Sequence, residues 1–90
     1  MKLRRFWVEF EGQLGDGFSP GVLLGCGVTA EGPGEALEIV RERVFDGEQL
    51  PRIKRLVEDV DISTLDQVHV VPNMAAPTAR GIWFPRGYEG

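Results

Sequence analysis

Residues 80–88, RGIWFPRGY, limit the fold more than any other stretch, because they place three aromatic side chains beside proline and glycine. Each large ring buries roughly 150–250 Å² when it packs. A disordered segment would leave that area in water, so we predict that these residues either complete the core or present a contact surface. We expect a strand over residues 80–84, with Ile82 and Phe84 on one face.

The chain has 90 residues, enough for one small core, and we predict a single domain over residues 1–90. An apolar share of 42% and a charged share of 27% point to neither disorder nor a membrane role. The net charge of −4 argues against nucleic acid as a partner, since phosphate binding needs clustered lysine and arginine. Cys26 is the only cysteine, which excludes an internal disulfide and favours a reducing, cytoplasmic compartment.

The first strand and the loop after it are predicted from alternation and glycine content. Residues 3–11 alternate, and their apolar face carries Phe6, Val8 and Phe10. Residues 12–21 then contain four glycines and a proline, which is typical of a loop. Because long loops in small domains are often functional, this one is a candidate, with Asp16 available for chemistry. The alternative is a plain connection in which Leu14 and Phe18 pack on the core.

The remaining elements complete an α+β pattern. Residues 22–29 indicate a second strand with a glycine bulge, and residues 33–47 a helix with proline in its first turn and Gly47 at its end. Residues 50–62 fit a strand better than a helix, although both patterns are present. Residues 63–66 predict a capping box and one helical turn. The predicted fold is a mainly antiparallel sheet with one principal helix packed on one face, in the order β-β-α-β-β.

The sequence GCGVTA at residues 25–30 matches the G-x-G-x-x-A pattern of dinucleotide-binding folds. In those folds the helix begins inside the motif, so that its free amides face the pyrophosphate. Here Gly32-Pro33-Gly34 delays the helix, and the chain has no room for repeated parallel units. We therefore interpret these glycines as a structural bulge and predict no cofactor.

Few side chains could carry catalysis. Cys26 and His69 could act as nucleophile and base. Each also has a structural alternative: Cys26 could be a small core residue, and His69 could be a hydrogen-bonded structural group. An acidic run could hold a hard cation, yet alternation along a strand would separate its members, and we predict a solvated edge with no metal. The acidic residues concerned are Glu58, Asp59, Asp61 and Asp66.

Aromatic residues on two strands suggest a contact surface. Trp7 and Trp83 lie on the faces opposite the apolar ones, so the rings could stack across the sheet if the two strands are close. With Tyr88 they would form an apolar patch of the kind that marks a protein interface. We predict that this patch binds a partner, with a polar rim formed by Arg5, Arg80 and Arg86. The alternative is that a second layer of the same chain covers the rings.

Residues 4–45 resemble the small antitoxin domain of the HicB type. The resemblance is carried by Pro20-Gly21, Gly25-Cys26 and Glu35-Ala36-Leu37, which match the strand, Gly-Cys turn and helix start of that family. It implies antiparallel strands with one helix, in a partial RNase-H-like unit. The carboxyl-terminal part is similar to small uncharacterised bacterial proteins with a Trp-Phe-Pro signature, which implies no activity.

The sequence thus predicts a small cytoplasmic bacterial protein that is not a catalyst and acts by binding another protein. The sequence leaves the identity of the partner open. The chain could bind another protein in an antitoxin- or immunity-like role, or it could bind a second copy of itself and form a homodimer. The alternative function is a small enzyme or ligand-binding domain that uses Cys26 and His69.

Overall fold

The computed structural model of the chain describes residues 2–12 and 20–88. These residues form four strands, two α-helices and two short 3-10 turns. The strands are β1 (Arg4–Phe10), β2 (Cys26–Ala30), β3 (Ile53–Glu58) and β4 (Gly81–Phe84), and the helices are α1 (Pro20–Leu24) and α2 (Pro33–Arg43). The 3-10 turns are Ile62–Thr64 and Val71–Asn73.

The four strands make one antiparallel sheet in the order β3-β1-β2-β4. The predicted α+β fold with one main helix is therefore confirmed, with α1 as an addition of five residues. The strand alternative for residues 50–62 is also confirmed, since β3 lies within that range. No helix in the described part of the chain is long and apolar enough to cross a membrane.

Helix α2 packs on one face of the sheet and forms the first core with it. The apolar face of β1 is the predicted one, and its side chains are buried against Ala36 and Val40 of α2. Just after the helix, Phe45 meets the ring of Phe10 edge-on, with 5.3 Å between the ring centroids. Cys26 lies wholly inside this core.

The opposite face of the sheet carries a second core, centred on Trp7 and Trp83. Residues 59–80 cover it from outside with turns and irregular backbone, and contribute the buried side chains of Val60 and Val70. The covering layer is tied to β4 where the Ala75 amide donates to the Trp83 carbonyl at 2.7 Å. Both faces of the sheet are therefore occupied.

The predicted second strand is wrong at its start, because residues 22–24 belong to α1. A run of three apolar residues fits a buried helical turn as well as a strand. Gly25 then takes φ +138°, which is strained for any residue with a side chain, and strand β2 begins after it. The predicted loop over residues 12–21, with Leu14, Asp16 and Phe18, lies almost entirely outside the described residues.

Three local predictions also need correction. Helix α2 ends at Arg43, before Gly47, whose φ of +80° belongs to the following turn. The cap of the first 3-10 turn is Asp61 and not Ser63, because the Asp61 carboxylate accepts the Ser63 amide at 3.0 Å. Ile82 and Phe84 pack in different cores, since Gly27 pairs with Phe84 while Val28 pairs with Ile82. That register shift leaves one extra residue in β4.

Candidate functional site

The two tryptophans meet, as the sequence suggested, and two glycines make this possible, one just before β2 and one within it. Trp7 on β1 and Trp83 on β4 lie on either side of β2, with 6.1 Å between their ring centroids. A Cβ atom on Gly27 would lie 2.4 Å from the Trp83 ring, and one on Gly25 would lie 2.5 Å from the Trp7 ring. The G-x-G spacing therefore makes room for tryptophan rings.

The tryptophans do not form a free contact surface, which corrects that part of the prediction. Trp7 is 4% exposed and Trp83 is 1% exposed, because the covering layer of residues 59–80 closes over them. The alternative, in which the same chain covers the rings, is the one observed. Tyr88 is half-buried against the helix-side core, on the opposite face of the sheet from both tryptophans.

The three arginines predicted to form a rim lie at different places and make different contacts. Arg80 pairs with Glu31 at 2.6 Å and with Glu35 at 3.2 Å, and so ties the start of β4 to the start of α2. Arg5 is exposed on β1, and Arg86 is exposed beyond β4. Arg5 and Arg86 border two separate hollows in the surface, and Arg86 alone of the three lies beside Phe84 and Pro85.

Cys26 and His69, the candidate catalytic pair, are not brought together. Cys26 is fully buried in the helix-side core, and burial raises the pKa of its thiol to about 12. His69 lies in the layer that covers the other face, and its side chain is 67% exposed. The sheet separates the two, so His69 cannot act as a base for this thiol, which is also shielded from solvent.

His69 instead pairs with Asp66, the last residue of the predicted capping box. The His69 Nδ1 atom lies 3.0 Å from Asp66 Oδ2, while Asp66 Oδ1 accepts the backbone amides of Val68 and His69 at 2.8 and 2.9 Å. These hydrogen bonds to His69 and Val68 lower the pKa of Asp66 to about 2. An Asp followed three residues later by His is the sequence signal that would have revealed the pair.

The lowered pKa of Asp66 predicts a specific acid response. Because the folded pKa lies below the ordinary value of 3.8, the stability that Asp66 provides is present above about pH 4 and is lost as pH falls toward 2. In urea unfolding, we expect the gap in unfolding free energy between wild type and Asp66→Asn to be widest near pH 5 and to narrow by pH 2. A gap that stays constant over this range would contradict the assignment.

The rest of the acidic run has structural partners. Glu58 and Asp59 both bind the Arg4 guanidinium at 2.8 Å, which raises the pKa of Arg4 and lowers that of Asp59. Asp61 is occupied as the cap described above. No cluster of three metal-ligating side chains is present within residues 2–12 and 20–88.

Two adjoining hollows open on the tryptophan side of the sheet, and Leu24 of α1 borders both. The Trp7 hollow has a volume of about 230 Å³ and is bordered by Glu9, Arg55 and Asp66. The Pro85 hollow has a volume of about 360 Å³; its apolar residues are Leu24, Phe84 and Pro85, and its polar residues are His69, Asn73 and Arg86.

The outer edge of β3 is the other exposed feature. β3 ends the sheet and pairs only with β1, so one side of its backbone has no strand beside it in the described structure. Its first three residues, Ile53, Lys54 and Arg55, are exposed. Unpaired strand edges are a common means of protein association.

No protein-family model, curated protein or solved structure gives a significant match to this chain. The resemblance of residues 4–45 to HicB-type antitoxin domains therefore stays a prediction. Function has to be argued from the surfaces just described.

Proposed function

We propose that this chain is a non-catalytic protein-interaction module that binds a second copy of itself through the outer edge of β3. The observation that carries the proposal is the order of charges along this open edge. Lys54 and Arg55 lie at its beginning, and Glu58 lies at its end. An antiparallel pairing of two identical strands brings the beginning of one against the end of the other.

The side-chain positions select one register. Leu56 and Glu58 share a face of β3 because alternate residues of a strand point the same way. Lys54 is the extra residue of β3 at its register shift against β1, and its side chain is exposed. In a two-fold antiparallel pair centred on Leu56, the two leucines face each other at the axis. Each Lys54 then lies opposite Glu58 of the second copy, and these opposite charges stabilise the pair.

One of the two neighbouring symmetric registers is unfavourable. A pair centred on Arg55 would place two arginines directly opposite each other, and like charges in that position destabilise a sheet. Lysine on an edge strand also discourages unspecific pairing. The charges of β3 thus favour the Leu56-centred pair over the Arg55-centred one.

A charge exchange tests the dimer and its register together. We expect Lys54→Glu and Glu58→Lys each to weaken dimerisation at least tenfold, because each turns two attractive pairs into repulsive ones. The double variant, Lys54→Glu with Glu58→Lys, restores the attraction and is expected to recover the dimer. Sedimentation velocity over a concentration series measures the dissociation constant.

Matched controls separate pairing from net charge and from folding. Arg43→Glu and Glu48→Lys make the same charge changes at exposed positions outside β3 and should leave dimerisation unchanged. Because Glu58 also binds Arg4, circular dichroism must show that the variants are folded. A wild-type chain that stays monomeric at every concentration, or a double variant without recovery, would overturn the proposal.

Two further expectations bear on this function. An antitoxin- or immunity-like role, which the resemblance to HicB-type domains implies, stays a prediction. The alternative of an enzyme using Cys26 and His69 loses its support, because the thiol is buried with a raised pKa and the histidine lies across the sheet. A non-catalytic binding role agrees better with the described geometry.

A further inference from the structure

We infer that the Pro85 hollow binds a small organic monocarboxylate, with the carboxylate on Arg86 and the apolar body against Phe84, Pro85 and Leu24. This site lies beside β4, at the opposite edge of the sheet from β3. The inference is therefore independent of the proposed dimer. Its volume of about 360 Å³ is at the lower end of the range of about 300–1,000 Å³ typical of small-molecule sites.

The apolar floor of the hollow is formed by buried groups. Phe84 is 2% exposed and is held by the Trp7 ring, with 5.7 Å between the ring centroids. Pro85 is also buried, whereas Leu24 is 41% exposed at the rim. An exposed leucine beside a fixed apolar floor favours a ligand with an apolar body.

Arg86 supplies the charge that would recognise an anion. Unlike Arg4 and Arg80, whose guanidinium groups bind carboxylates within the chain, Arg86 makes no ion pair with any described residue. A guanidinium offers a planar pair of donors that matches a carboxylate. The hollow therefore has a cation available at its border.

His69 and Asn73 present further polar atoms whose positions are already held. Asp66 occupies His69 Nδ1, so Nε2 is the ring nitrogen left for the hollow. The Asn73 Nδ2 atom donates to the His69 carbonyl at 2.9 Å, which leaves its amide oxygen unoccupied by that bond. These two residues give hydrogen-bonding specificity without a change in the covering layer.

The charge count favours a monocarboxylate over a dianion. Asp66 lies against His69, so even a protonated His69 is balanced by a neighbouring negative charge. Among the residues that the structure describes, one uncompensated positive charge, that of Arg86, then remains at the hollow. A single guanidinium beside an apolar floor suits a carboxylate attached to a ring or short chain better than inorganic phosphate.

Benzoate is a direct probe, because it joins one carboxylate to one apolar ring. In a titration followed by amide NMR shifts, we expect saturable changes at His69, Asn73 and Arg86. Benzamide, which has the same shape without the charge, and acetate, which lacks the ring, should each bind at least tenfold more weakly. Arg86→Gln should weaken benzoate binding at least tenfold, because the bond to a charged group is lost.

The controls make each outcome decisive. Arg43→Gln removes a positive charge from an exposed position on α2 and should leave benzoate binding unchanged. Leu24→Ser should weaken benzoate and leave acetate unaffected. The inference is overturned if benzoate gives no saturable shift, if Arg86→Gln binds it as wild type does, or if inorganic phosphate binds more tightly than benzoate.

Discussion

Gly27→Ala is expected to destabilise the fold by about 2–3 kcal/mol, although it adds only one methyl group. The new Cβ would lie 2.4 Å from the Trp83 ring, a distance that carbon atoms do not tolerate. The ring has nowhere to move, since Trp83 is 1% exposed and is packed against Trp7 and the covering layer. Urea unfolding at neutral pH measures the loss.

A double-mutant cycle assigns the cost to this contact. Trp83→Leu removes the ring atoms that meet the new methyl group, so Gly27→Ala should cost at least about 1.5 kcal/mol less in that background than in wild type. Gly34→Ala is the matched control, because nothing lies within 4 Å of its added Cβ and it sits in a helix. It should be neutral or stabilise by up to about 1 kcal/mol. Additive effects of Gly27→Ala and Trp83→Leu would contradict the assignment.

The parts of the fold that the sequence predicts well are those with a clear local period. β1 alternates except at Trp7, and α2 follows a proline and has apolar residues at helical spacing. In β3 the strand and helix patterns were both present, and the β-branched Ile53 and Val57 favoured the strand. The start of β2 was missed because three consecutive apolar residues carry no period. What separates α1 from β2 is the backbone of Gly25, which the pattern alone did not reveal.

The contact surface was harder to predict because it depends on non-local packing. Stacking of Trp7 with Trp83 follows from strand positions, but their exposure depends on residues 59–80. That segment has little regular structure and is held by side-chain bonds to backbone amides, such as those of Asp61 and Asp66. Gly25 and Gly27 were a usable signal, since residues without side chains between two tryptophan-bearing strands indicate rings lying across the middle strand.

Cys26 should react with alkylating reagents only when the protein unfolds. Its pKa of about 12, against an ordinary 9.0, lowers the thiolate fraction at neutral pH by about 1,000-fold, and thiolate is the reactive form. Burial adds a second barrier, because the reagent cannot reach a side chain that is 0% exposed. Reaction is left to the unfolded chain, in which the thiol regains its ordinary pKa, so for a domain of ordinary stability the small unfolded fraction lowers the rate by a factor of about 10³ or more.

Iodoacetamide kinetics, followed by mass spectrometry, test this expectation directly. The rate should be very low in native buffer, should rise in urea in parallel with the unfolding transition, and should be the same in His69→Ala as in wild type. Cys26→Ser controls for reaction at other side chains. Fast alkylation in native buffer that His69→Ala slows would reverse the argument, because only a thiolate activated by that histidine would behave so. The two residues would then have to meet in a conformation that opens the sheet, and the catalytic alternative would replace the binding module proposed above.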